Sequence, residues 1–133
     1  MNKILFITTL LLSTTTLFCQ DAFNDCAAIC LDKVALVNDY SPRGTCEIEL
    51  NAKGTLTTYT VELSETAITP KESISFKIAI EDSATKTLWL FSEKTYQKIA
   101  IEEVLAKCKK GDIIRLITVD KTFALPHNEI LVK

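Results

Sequence analysis

The sequence predicts an α+β domain, a mostly antiparallel β-sheet or sandwich crossed by one amphipathic helix and stapled by disulfides. Three observations carry this. Several short runs alternate apolar and polar residues, the period of strands with one wet face. One stretch, Ile99 to Val119, switches to helical spacing and then back to a strand. A set of four cysteines follows a segment with the marks of an export signal, and an even cysteine count in an exported chain implies a disulfide framework.

Residues 1–19 of the 133 carry those marks: Lys3 gives a charged start, Ile4 to Leu12 an apolar core, and a small-residue exit follows. The run is short and threonine-rich for a membrane span. Cleavage after Cys19 leaves residues 20–133 as a single secreted domain. The other reading makes Cys19 the lipidated first residue of a lipoprotein, against which Phe18 is too large for the usual recognition site. The whole chain has a net charge of −2 and the signal contains only a lysine, so the mature part is mildly acidic, which argues against nucleic acid as a partner.

From Asp21 to Leu31, residues Phe23, Cys26, Ala27 and Cys30 share one helical face, so a short helix is expected there. Cys26 and Cys30, one turn apart, point too far from each other for a relaxed bridge. They are expected to reach Cys46 and Cys108, with the connectivity open. A copper or zinc site on Cys26 and Cys30 is the sharper alternative, and no nearby histidine or second close cysteine pair supports it.

Lys33 to Tyr40 reads as a strand and Ser41-Pro42-Arg43-Gly44 as a turn. Cys46, Ile48 and Leu50 then alternate with Glu47 and Glu49, and Ala52-Lys53-Gly54 turns the chain back in a hairpin. In the returning strand Thr57, Tyr59, Val61 and Leu63 oppose Thr58, Thr60 and Glu62, so both strands have one wet face. Ser64 to Ser73 is a polar loop containing Pro70. Ile74, Phe76, Ile78 and Ile80 form the cleanest alternation. In Thr87 to Ser92, Leu88 and Leu90 oppose Trp89 and Phe91, and a strand apolar on both faces is expected to be buried in the core; the alternative is an aromatic contact surface.

In the helix, Ile101, Val104, Leu105 and Cys108 fall at i, i+3, i+4 and i+7, with Glu102, Glu103, Lys107 and Lys109 outward. Acids open the helix and lysines close it, as the macrodipole prefers. Gly111 supplies the left-handed residue that stops it. Ile113 to Val119 is a strand interrupted by Arg115, and Ile130 and Val132 mark the last strand after a turn through Asp120 to Asn128.

The run from Leu90 to Val132 consists of a helix, Lys109-Lys110-Gly111-Asp112, an apolar strand, Leu125-Pro126 and a closing strand at Ile130. It resembles the C-terminal periplasmic domain of GldM-type proteins of gliding motility and type IX secretion. The resemblance covers about a third of the chain and implies a compact β-rich module with a short helix, used for protein contacts and without enzymatic activity. The four cysteines depart from that pattern.

No hydrolase elbow, zinc-protease, phosphate-loop or dinucleotide motif occurs. His127, the single histidine, needs a free thiol beside it to form a Cys-His pair. Two disulfides would leave none, so it reads as a turn residue. Glu47 with Glu49 and Glu102 with Glu103 read as surface acids. The expectation is therefore an exported, non-catalytic protein-binding module of the bacterial cell envelope, periplasmic or extracellular, with no cofactor and no metal. Its contact surface is sought at Trp89 and Phe91 or, with those in the core, at the loops around Pro70 and around Pro126 with His127. The alternatives are an inhibitor or immunity-type protein using 64–73 or 122–129 as a plug, and a metal carrier or enzyme using Cys26 and Cys30.

Overall fold

The computed structural model describes residues 25–64, 67–120 and 122–133, with side chains from Cys26 on. The expected export signal, Cys19 and the first residues of the expected N-terminal helix lie outside them. The chain forms β1 (Asp25–Leu31), β2 (Val34–Ala35), β3 (Cys46–Ile48), β4 (Thr55–Leu63), β5 (Ile68–Ile74), β6 (Phe76–Glu81), β7 (Leu88–Leu90) and β8 (Ile99–Ala100). There follow α1 (Ile101–Leu105), β9 (Ile113–Thr118), β10 (Phe123–Ala124) and β11 (Glu129–Val132).

The strands make two sheets. One runs β10-β1-β4-β5, with β2 beside β1 and β8 beside β4; the other runs β3-β11-β9-β6-β7. Pairing is antiparallel except where β1 meets β10 and β3 meets β11. Ile29 and Leu56 of the first sheet enclose one core with Phe76, Ile78, Ile80, Ile114, Leu116, Ile130 and Val132 of the second, and Ile101, Val104 and Leu105 of α1 join it. The expected β-rich architecture with one short helix is therefore present among the described residues, as two sheets over a shared core.

Alternation locates β3, β6 and β11 correctly: Cys46 and Ile48 are buried around exposed Glu47, Ile130 and Val132 around exposed Leu131, and Phe76, Ile78 and Ile80 are buried while Lys77 and Glu81 on the other face of β6 are half-buried. Elsewhere the fold departs from expectation. Residues 25–31 form a strand, not a helix: β1 lies between β4 and β10, where Cys26 to Cys30 are all buried. A run apolar at every position has no period to read, and sheet pairing on both edges decides its conformation.

β3 and β4 do not form a hairpin. Ala52-Lys53-Gly54 carries the chain from one sheet to the other, and β3 pairs with β11 instead. β4 is buried on both faces from Leu56 to Val61 except at half-buried Tyr59, so its threonine face is not wet. Residues 64–73 are mostly β5, the outer strand beside β4, and Pro70 sits opposite Val61 where the register shifts. Proline is tolerated there because an edge strand needs no N–H on its open side.

The helix is shorter than its apolar stripe. Ala106 N donates to Glu102 O, but Lys107 and Cys108 donate three residues back, to Val104 and Leu105, so the end tightens before any lysine enters it. Asp112, 3% exposed, draws the chain out. Its carboxylate accepts from the N–H of Lys109 and of Ser83, both at 3.0 Å. Burial opposes its charge, but those two bonds and the Lys109 ammonium outweigh it and hold the carboxyl below its ordinary range. Gly111 has the expected positive φ (94°), in the turn that follows rather than at the helix end.

Candidate functional site

His127 sits on the turn between β10 and β11, at a cleft of about 730 Å³ lined in part by Pro42, Cys46, Pro126 and Glu129. Its Nε2 lies 2.6 Å from the Ser41 carbonyl. A carbonyl only accepts, so Nε2 carries the hydrogen and cannot serve as a base. The ring stands edge-on to Tyr40 with centroids 5.0 Å apart, and the Tyr40 hydroxyl donates to Ala27 O at 2.8 Å. Together the two side chains tie the 41–44 turn to β1 and to the turn before β11.

The cysteines differ from the expected staples. Cys30, Cys46 and Cys108 carry free thiols. The two long-range bridges from Cys26 and Cys30 to Cys46 and Cys108 are therefore not formed. A free thiol does stand near His127, but the Cys46 Sγ contacts the histidine's backbone oxygen at 3.7 Å. Burial, with Cys30 nearby, pushes the Cys46 thiol up to about 11, and burial alone does the same to Cys30. Cys108, its Sγ 3.4 Å from Val104 O, is also pushed to about 11. A nucleophilic cysteine needs the thiolate at neutral pH, and these environments favour the protonated form. Among the described residues no group of three or more His, Cys, Asp or Glu side chains is placed to hold a metal ion. No helix among them is long and apolar enough to cross a membrane.

The sequence-predicted aromatic strand behaves differently from its core expectation. β7 is the last strand of its sheet, and Leu88, Trp89 and Leu90 are 53%, 38% and 51% exposed. Trp89 pairs with buried Ile80 and so points to the inner side, but at the rim of the sheet, where cover ends. Phe91 is half-buried; it packs on the core and lies 6.4 Å from the Tyr96 ring. The two aromatics share the inner side but differ in cover: Phe91 packs on the core while Trp89 stays exposed at the rim. Pro70, on the outer strand of the other sheet, does not join them, and neither does His127.

Leu88 and Leu90 sit on the outer face of the sheet, with Glu81 and Ala79 opposite them on β6. Ile117 and Leu131 on the same sheet are also exposed. Arg115 holds the middle of this face, its guanidinium 2.8 Å from Glu81 and 2.7 Å from Glu129. The sequence reading singled out Leu88 and Leu90 but expected them in the core, and it missed Ile117 and Leu131, although Leu131, between buried Ile130 and Val132, is visible in the alternation as facing out. No family model matches the chain, and neither a curated protein nor a solved structure does.

Proposed function

We propose that this chain is a small exported, non-catalytic protein-binding module of the bacterial cell envelope, periplasmic or extracellular, with a secretion or motility assembly as its setting. The observation that carries the reading is β7: three large apolar side chains, each more than a third exposed, on the open edge of a sheet. Exposed apolar surface of this kind is characteristic of contact sites, and an aromatic at its centre supplies most of the energy such sites use. The cleft at His127 supports the reading less, because its histidine and thiol are committed to structural contacts.

The test compares tagged wild-type protein, residues 20–133, with its Trp89→Ala variant in crosslinked envelope extracts of the native host. Loss of the captured partner with a melting point within a few degrees of wild type is the expected result. Equal capture by both proteins removes β7 from the reading. A collapse of stability in the variant returns Trp89 to the core.

A further inference from the structure

We infer that β7 is a self-pairing edge: two copies of this chain join antiparallel through Leu88, Trp89 and Leu90, continuing one sheet across a two-fold axis at Trp89. This rests on the reading of β7 as a contact surface and names the partner. Three features of the strand point to a second copy.

The first is backbone direction. Asp82 N donates to Thr87 O, and Phe91 N donates to Ile78 O, both at 2.9 Å. In an antiparallel pair hydrogen-bonded positions alternate, so Thr87, Trp89 and Phe91 turn their backbone groups to β6 while Leu88 and Leu90 turn theirs to the open edge. A two-fold axis at Trp89 sets Leu88 opposite Leu90 of the other copy, and the reverse, as hydrogen-bonded pairs. All four outward N–H and C=O pairs then find partners, and Trp89 meets its own copy at the closer, non-bonded position.

The second feature is symmetry. An isologous contact requires a surface complementary to itself. Leu-Trp-Leu reads the same in both directions about Trp89, so leucine pairs with leucine and tryptophan with tryptophan. At the ends, antiparallel pairing places Lys86 of one copy opposite Ser92 and beside Glu93 of the other, charges of opposite sign.

The third is the contrast with the outer strands β5 and β3. Outer strands are ordinarily guarded by proline, lysine or other charges that discourage pairing. β5 carries Pro70, Lys71 and Glu72; β3 carries Glu47, engaged by Lys133 at 2.6 Å. Thr87 to Ser92 contains no charge, no proline and no glycine.

The contact is short, so the dimer is concentration-dependent. Sedimentation equilibrium of residues 20–133 across micromolar to millimolar concentration is expected to show twice the chain mass at the upper end, and Leu90→Lys to remain at the single mass with an unchanged melt. Trp89→Cys, in a Cys108→Ser background, is expected to be oxidised by dissolved oxygen to a disulfide-linked dimer, while Lys77→Cys, half-buried on the outer face of β6 away from the edge, does not. A wild-type protein monomeric throughout overturns the proposal, as does a dimer that Leu90→Lys leaves intact or one in which Lys77→Cys crosslinks as well. A monomeric wild type that still captures an envelope partner through Trp89 leaves the binding reading standing, so the two failures are distinguishable.

Discussion

Cys30 and Cys46 are thiols held where a thiolate is unfavourable. Both are almost wholly buried, and burial raises each to about 11 from an ordinary value of 9.0. The folded protein therefore keeps protons that the unfolded chain releases between pH 9 and 11. Stability from this source is complete below pH 9 and is lost as pH rises through that window. A melting point that falls steeply above pH 9, with less of a fall in Cys46→Ala, is the expected outcome of a pH series. Alkylation with iodoacetamide at pH 8 is expected to spare Cys30 and Cys46 in the folded protein and to modify both in denaturant. At this scale the sequence displayed the chemistry but not its placement. Four cysteines after a signal-like segment suggest bridges, yet β1 and β3 keep Cys30 and Cys46 as free apolar side chains. Trp89 shows the same limit from the other side. An aromatic in a strand apolar on both faces is compatible with a central strand or with an uncovered rim, and only the sheet order separates them.

Among the elements, strands with one wet face were legible and those buried on both faces were not. β6 announces itself through Phe76, Ile78 and Ile80, whereas β1, apolar at every position from Cys26 to Leu31, offers no period that separates strand from helix. Sheet membership was hidden altogether, since a glycine turn looks the same whether it closes a hairpin or crosses to another sheet. Gly54 does the second. Its N–H donates to Glu102 Oε1 at 3.0 Å and its carbonyl accepts from Ile101 N at 2.8 Å, so it docks the start of α1 onto β4. Its φ of 134° suits glycine alone, and an added Cβ would lie 2.5 Å from Asp32 Oδ2, on the carboxylate that accepts from Thr55 N. Gly54→Ala is expected to cost about 1–3 kcal/mol. Its melt should fall by roughly 5–15 °C, and an unchanged melt would mean that the crossing adjusts freely.

For the molecule as a whole, the shared core makes the two sheets one cooperative unit. Phe76, fully buried, packs among side chains of both sheets and lies 6.2 Å from the Tyr96 ring. Phe76→Ala is expected to cost about 3–5 kcal/mol. Fluorescence of Trp89, on the rim of one sheet, and far-ultraviolet dichroism, which sees both, should still report a single coincident transition; separated transitions would show that the sheets melt independently. The parallel pairings add a kinetic consequence. Asp25 is bonded in register with Phe123, and Cys46 with Ile130. Each sheet thus recruits a strand from residues 123–132, and the loops that must close to do so span most of the chain. Topologies of such high contact order fold slowly, in roughly milliseconds to seconds. The first sheet cannot be completed before residues 123–124 have been synthesised, nor the second before 129–132, so the nascent polypeptide stays open through nearly all of its own translation.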